Sequence, residues 1–470
     1  MRRIGVILPV LKGGARWMSR GKMLLRGLAF VFVLALAVNH VSSLFGIEQS
    51  RNYSNWSGLG KEKRGSMDAV FIGASNVSAF WQPPFGWADH GIAVWSMSIP
   101  DLTCAAIKYM LIEARKTQPD ALYIINLSTF KGSALNLDVG RLHRALNYMP
   151  FSLNKLRMTG DLISRSPFRG LDALEFYLPV IRFHSRWNSL QDTIFGEGNI
   201  KLKMSNTTGT FRKKVFSIEE KLALDNDRRD PIPDDVNKVL EELLDYCDEH
   251  HVKLLFVKSP QVANQKAQGR MNAMEDILKA RGYPCLDLLE DIHDIGIDTR
   301  MDFFNSKHTN IHGALKFCKA VGDYLVENYG FEDKRGLPGW ESWDEAWEKY
   351  KSTCETCLLP FELEHAPRYF CEVPVLSKLS VRERSVKVSW TDIEGMNGYA
   401  VYRRTDNGPE KAWRWVADAG AGLNEYTDDG LKASTEYIYT VVPYREADGI
   451  REYGSFDVLG VSAKTKEEKA

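Results

Sequence analysis

From residue 68 onward, short apolar runs alternate with stretches of helical periodicity, and this alternation constrains the fold more than any other feature. The runs are 68–73 (DAVFIG), 92–96 (IAVWS), 121–126 (ALYIIN), 253–258 (KLLFVK) and 284–288 (PCLDL). Strands covered by helices on both faces read as unbroken apolar runs, whereas half-exposed strands alternate. Between the runs, Cys104, Ile107, Met110, Leu111 and Ala114 fall on one helical face. So do Val236, Val239, Leu240, Leu243, Leu244 and Cys247, then Met271, Met274, Ile277 and Leu278, and finally Ala314, Leu315, Cys318, Val321 and Leu325. The pattern predicts an α/β domain with a parallel sheet, each stripe being core.

Residues 130–230 interrupt the alternation. An insertion at this place follows the carboxyl end of a strand, where ligands bind in open α/β sheets, so it is a candidate lid. It contains Leu178-Pro179 and the cluster His184-Ser185-Arg186-Trp187.

Residues 1–26 carry seven lysines and arginines and no acid. Residues 27–47 are then mostly apolar, close to the ~20 residues that cross a bilayer. This order predicts a transmembrane signal-anchor with residues 1–26 in the cytoplasm and the main domains outside the cell. A cleaved signal peptide has the same order of features and stays open.

Residues 331–372 read as a linker. Trp340, Trp343 and Trp347 share one face of a short helix, a spacing that serves packing more often than sugar stacking. Cys354 and Cys357, with His365 and Cys371 nearby, allow a disulfide, free thiols or zinc; no metal is expected. From 373 to 466 the texture changes to short alternating strands, such as Val386, Val388 and Trp390, separated by turn residues at 406–408, 428–430 and 448–449. About seven such strands imply an all-β sandwich. Trp390, the segment Gly398-Tyr399-Ala-Val401-Tyr402-Arg403, and Leu431 before Tyr437-Ile-Tyr439 resemble fibronectin type III. The usual role of such a domain is a spacer or wall contact.

Two segments carry residues suited to chemistry. Ser75 follows the first run after Gly73-Ala74, where a hydroxyl can face the crevice above the sheet; a turn or helix cap is the simpler role. His308 lies in Asp302-Phe-Phe-Asn305-Ser-Lys-His308-Thr-Asn310, just before the last helix, where a base for Ser75 would be suitably placed. Gly73-Ala74-Ser75-Asn76 resembles the first block of the SGNH/GDSL hydrolases. The segment DFFNSKHTNIHGALKF resembles their last block, above all in bacterial membrane-anchored relatives such as teichoic-acid D-alanylation factors and alginate-type O-acetylation proteins.

The resemblance covers residues 66–330 and implies an SGNH-like three-layer domain with Ser75 as nucleophile and His308 as base. It also marks two departures. The acid three residues before the histidine is Asn305, with Asp302 as the nearby carboxylate that could replace it. Ser98 stands where the oxyanion-hole glycine is usual. Asn126 corresponds to the third-block asparagine, although Ile124 replaces the glycine before it, and Asn76 joins these as an oxyanion or substrate-binding residue.

Lys+Arg and Asp+Glu both total 61, so no basic surplus points to nucleic acid. The resemblance implies acyl transfer without a cofactor, by an ester hydrolase or O-acyltransferase. Its implied partner is a cell-envelope polysaccharide or teichoic-acid-like polymer. The alternative is a catalytically weakened binding or scaffold protein for such a polymer or for a membrane acyltransferase, and Asn305 divides the two.

Overall fold

The computed structural model describes residues 20–43, 51–131, 137–166, 174–185, 218, 227–299, 302–348, 350, 372–405, 413–447, 450–457 and 459–467. The five apolar runs form one sheet of parallel strands: β1 (Ala69–Gly73), β2 (Val94–Ser98), β3 (Leu122–Asn126), β4 (Leu254–Lys258) and β5 (Cys285–Asp287). Their spatial order is β2-β1-β3-β4-β5. The order runs one way from β1 to β2 and the other from β3 to β5. The crevice between the carboxyl ends of β1 and β3 is therefore the topological switch point.

The helices of this part are α1 (Arg20–Ser43), α2 (Arg51–Lys61), α3 (Ser75–Phe80), α4 (Pro83–His90) and α5 (Ile107–Arg115). The insertion adds α6 (Val139–Leu146), α7 (Leu153–Ser164), α8 (Leu174–Tyr177) and α9 (Pro179–Phe183). They are followed by α10 (Asp234–Glu249), α11 (Gln265–Ala280) and α12 (Ile311–Tyr329). Successive strand residues feed opposite faces. Val70, Ile72, Tyr123, Ile125 and Phe256 pack with α5, α10 and α11. Phe71, Ile124, Leu255 and Val257 pack with α3 and α12. The result is the three-layer arrangement that the unbroken apolar runs predict.

The N-terminal helix is described over Arg20–Ser43, and within it Gly21–Ser42 is long and apolar enough to cross a membrane. Lys, Arg, Met and Leu are good helix formers, so the helix extends back through the basic residues. Its expected end at 47 lies outside the described residues, as do residues 1–19.

The α/β core also extends past residue 330. Trp343 is buried, Trp340 stacks on Trp87 at 5.6 Å, and the Trp87 indole donates to Asp344 at 3.0 Å. The tryptophan stripe thus packs against α4. Cys354, Cys357, His365 and Cys371 lie outside the described residues.

The C-terminal part is a sandwich. Strands β8 (Leu376–Val381), β9 (Ser385–Trp390) and β12 (Glu425–Asp429) form one antiparallel sheet. Strands β10 (Gly398–Arg404), β11 (Arg414–Gly420), β13 (Glu436–Ala447), β14 (Ile450–Tyr453) and β15 (Val461–Lys464) form the other. Val386, Val388 and Trp390 bury every second side chain of β9 against Tyr399, Val401 and Tyr439. The turn at 406–408 lies outside the described residues.

Candidate active site

Ser75 opens α3 directly after β1. Only glycine fits two residues earlier: a Cβ on Gly73 would lie 2.6 Å from Val77 Cγ2 and 3.0 Å from Asn126 Cβ. The chain can therefore turn tightly from strand to helix and leave the Ser75 hydroxyl above the sheet.

His308 comes from the far end of the domain on a small hairpin, β6 (Phe303–Asn305) and β7 (His308–Thr309). Two contacts fix that hairpin. The Thr309 hydroxyl donates to the Ala79 carbonyl of α3 at 2.7 Å. Asn310 caps α12 by accepting from the Gly313 N–H at 3.1 Å.

These constraints bring Ser75 Oγ to 2.8 Å from His308 Nε2. The other ring nitrogen, Nδ1, lies 3.0 Å from Asn305 Oδ1. The same oxygen accepts the Lys307 backbone N–H at 2.9 Å. A backbone N–H needs an acceptor, so the Asn305 amide keeps its oxygen toward both donors. That orientation holds the proton on Nδ1 and leaves the Nε2 lone pair for the serine hydroxyl. Asn305 therefore selects the tautomer a general base needs, while supplying no charge.

Asp302 does not face the His308 ring. Its fully buried carboxylate meets His312 Nδ1 at 2.8 Å and Lys316 Nζ at 2.7 Å, and accepts the Asp298 N–H at 2.7 Å. The physical reason is register: Asp302 precedes β6, and α12 turns His312 and Lys316 back toward it.

Among the expected oxyanion residues, Asn76 lines the cleft. Ser98 lies beneath it and donates to the Ala74 carbonyl at 2.9 Å, bracing the turn that carries Ser75. Asn126 is buried in the floor, donating to Ser259 Oγ at 2.7 Å and accepting from the Ser128 hydroxyl at 2.7 Å. Asn76 donates to that same Ser128 oxygen at 2.7 Å, so Asn126 reaches the cleft only through Ser128.

The cleft has a volume of about 190 Å³ and lies at the β1/β3 switch point. Its wall includes Lys131, Arg141, Gln261 and Lys307, which sequence reasoning did not single out. They come from the ends of β3, α6, β4 and the hairpin, far apart in the chain. The legible signal was positional: Lys131 and Gln261 each follow the carboxyl end of a central strand. Lys131 and Arg141 belong to the insertion, whose described portion thus forms part of the wall. Arg186 and Trp187 lie outside the described residues.

Burial, aided by the like charge of Lys307, pulls the Lys131 ammonium down to about 8. Burial pushes the Cys104 thiol, also on the wall, up to about 12, which leaves it protonated and a poor rival to Ser75 as nucleophile. Among the described residues, no group of three or more His, Cys, Asp or Glu is arranged to hold a metal ion.

No protein-family model matches the chain, and no curated protein matches it. Solved structures match over about a fifth of its length. A fibronectin type III domain of human collagen XX shares 24% identity over 22% of this chain and 99% of that one, with a TM-score of 0.18. The FN1–FN3 domains of chicken CNTN1 share 21% identity over 22% and 33%, with a TM-score of 0.18. The β-1,2-glucanase from Parabacteroides distasonis shares 23% over 21% of this chain and only 13% of its own, with a TM-score of 0.17. The C-terminal sandwich is fibronectin type III-like in fold. Its Tyr437 hydroxyl accepts the Lys432 N–H at 3.0 Å, the corner contact known in such sandwiches.

Proposed function

We propose that this chain is a membrane-anchored SGNH-type ester hydrolase or O-acyltransferase acting through Ser75 on a cell-envelope glycan or teichoic-acid-like polymer. The observation that carries the reading is the relay Ser75 Oγ–His308 Nε2 at 2.8 Å and His308 Nδ1–Asn305 Oδ1 at 3.0 Å, at the rim of a cleft. In this reading His308 takes the Ser75 proton as the hydroxyl oxygen attacks an ester carbonyl. The N–H groups of Ser75 and Asn76, in the first turn of α3, face the developing oxyanion. His308 returns the proton to the leaving alcohol. Water then releases the acyl group, or a sugar or polyol hydroxyl receives it. The apolar helix α1 holds the domains outside the membrane, with residues 1–26 in the cytoplasm.

A second reading has one observation in its favour. The partner on His308 Nδ1 is the neutral Asn305 amide, and the Asp302 carboxylate is engaged by His312 and Lys316. In that reading the domain binds or scaffolds an envelope polymer or a membrane acyltransferase.

Hydrolysis of p-nitrophenyl acetate by the full-length protein in detergent separates the two. The enzyme reading expects turnover that Ser75→Ala and His308→Ala each lower by about 10³-fold or more. Equal rates in all three folded proteins would move the assignment to the scaffold.

A further inference from the structure

We propose that the insertion helices α8 and α9 dock on the outer surface of the lipid bilayer that α1 spans, with Leu174 and Ile181 entering its apolar edge. The proposal rests on the anchor reading of α1 and is independent of the chemistry at Ser75.

The apolar stretch Gly21–Ser42 has 22 residues. At ~1.5 Å of rise per residue it covers about 33 Å, close to the ~30 Å of a hydrocarbon core. With the basic residues 1–26 on the inner side, Ser42 marks the outer boundary. At that boundary α1 meets α9. Ser42 is fully buried, and its hydroxyl accepts the Val180 N–H at 3.0 Å. That N–H belongs to the first turn of α9, where no carbonyl of the same helix can receive it. The hydrogen bond fixes α9 at the level where the span leaves the apolar layer.

The side chains of the two short helices divide to match. In α8, Phe176 is fully buried with its ring 4.5 Å from that of His143, and Glu175 meets His143 Nε2 at 3.2 Å. Leu174 lies two residues from Phe176, about 200° around the helix. Leu174 and Ile181 are each 43% exposed. Single exposed apolar residues are ordinary on a protein surface, but these two sit on the helices that abut the end of a span. Arg182, next to Ile181, reaches Glu175 at 3.7 Å, so its stem runs along this apolar edge while its charged end stays at headgroup level. A second copy or another protein would cover the same side chains, but only a bilayer follows from the packing of α9 on a spanning helix. The docking also reaches the cleft: α6 carries both His143, which holds α8, and Arg141, which lines the cleft.

Photo-crosslinking of the full-length protein in vesicles of phosphatidylcholine and phosphatidylglycerol tests this. A benzophenone side chain replaces, one at a time, Ile181, Leu174, Phe32 in α1 and Leu459 in the sandwich, all of them exposed, so the fold is left intact. Lipid adducts at 181 and 174 should exceed those at 459 by about fivefold or more. With Ile181→Glu present, the yield at 174 should fall by about threefold or more, because a charge opposes entry into the apolar layer. The proposal is overturned by background yields at 181 and 174 beside strong lipid labelling at 32, or by adducts to a second copy of the chain in place of lipid. A yield at 174 unmoved by Ile181→Glu overturns it too, since proximity without docking would then explain the label. Background labelling at 32 as well would sink the anchor reading, and this proposal with it.

Discussion

His308 and His312 are near neighbours in sequence and have opposite partners. His308 looks into the cleft, with the Ser75 hydroxyl on one nitrogen and the neutral Asn305 amide on the other. His312 lies outside the cleft and meets a true carboxylate, Asp302, which Lys316 also holds. The difference separates two jobs. The buried charge network ties the loop before β6 to the start of α12, so it positions the hairpin. The cleft histidine takes its orientation from the neutral Asn305 amide.

The largest expected effect comes from breaking the structural half. Asp302→Asn keeps the shape but leaves Lys316 and His312 without their anion. Breaking a buried ion pair from one side costs about 3–5 kcal/mol, so thermal unfolding of the α/β domain should move down sharply. Turnover per folded molecule should stay within about threefold of wild type, because the Asp302 carboxylate bonds His312, Lys316 and the Asp298 N–H rather than the relay, and the Thr309–Ala79 contact still holds the hairpin. Burial opposes the Asp302 charge, but hydrogen bonds from His312 and Lys316 outweigh it and hold the carboxyl below its usual range. Its contribution is therefore complete above the unfolded carboxyl value of about 4 and is lost as pH falls through the lower folded value. A folded Asp302→Asn protein with no ester turnover would bring Asp302 into the catalytic relay and dissolve the comparison.

This division of labour was only half legible in the sequence. Local chemistry was readable: the apolar runs become β1 to β5, and the stripes from Cys104 to Ala114 and from Val236 to Cys247 are core, because burial on both faces leaves a pattern within a few residues. Ser75 and His308 were nominated by their places beside strand and helix. What the sequence hid was pairing across elements. Asp302 has both Asn305-His308 and His312-Lys316 within reach, and only the helical turn of α12 selects the second pair. Gln261 and Lys131 meet because β3 and β4 are neighbours in the sheet, a fact of topology that neither segment records alone. Asn126 matches the third-block asparagine in sequence, yet its amide donates to Ser259 across the β3/β4 pair, a contact that only the sheet order creates.

A smaller and opposite effect follows from completing the catalytic half. Asn305→Asp places a charge beside Nδ1 while keeping an acceptor for the Lys307 N–H and the ring. An adjacent anion stabilises the imidazolium formed as Ser75 is deprotonated, so ester turnover should rise by about tenfold. The full loss of about 10⁴ known for the reverse change in serine proteases includes a wrong tautomer, which Asn305 already avoids here. The same anion raises the proton affinity of His308, so the acid limb of the kcat/KM profile should move to higher pH. An Asn305→Asp protein with unchanged turnover and an unmoved acid limb would show that His308 does not act as a base.

The smallest effect tests whether the two histidines are independent. His312→Gln keeps a side-chain donor within reach of Asp302, and Lys316 remains to balance the buried carboxylate, so the loss reduces to about one hydrogen bond, roughly 0.5–1.5 kcal/mol. Ester turnover should be unchanged. The same replacement at His308 removes the group that accepts the Ser75 proton, so turnover should collapse while stability moves little. Two identical substitutions, near one another in the chain, would then give opposite readouts, one thermal and one kinetic. If His312→Gln instead lowered turnover in step with stability, the Asp302 network and the cleft would form one coupled unit. Asp302 would then act on the relay by holding the hairpin that carries Asn305 and His308, not by lending it charge.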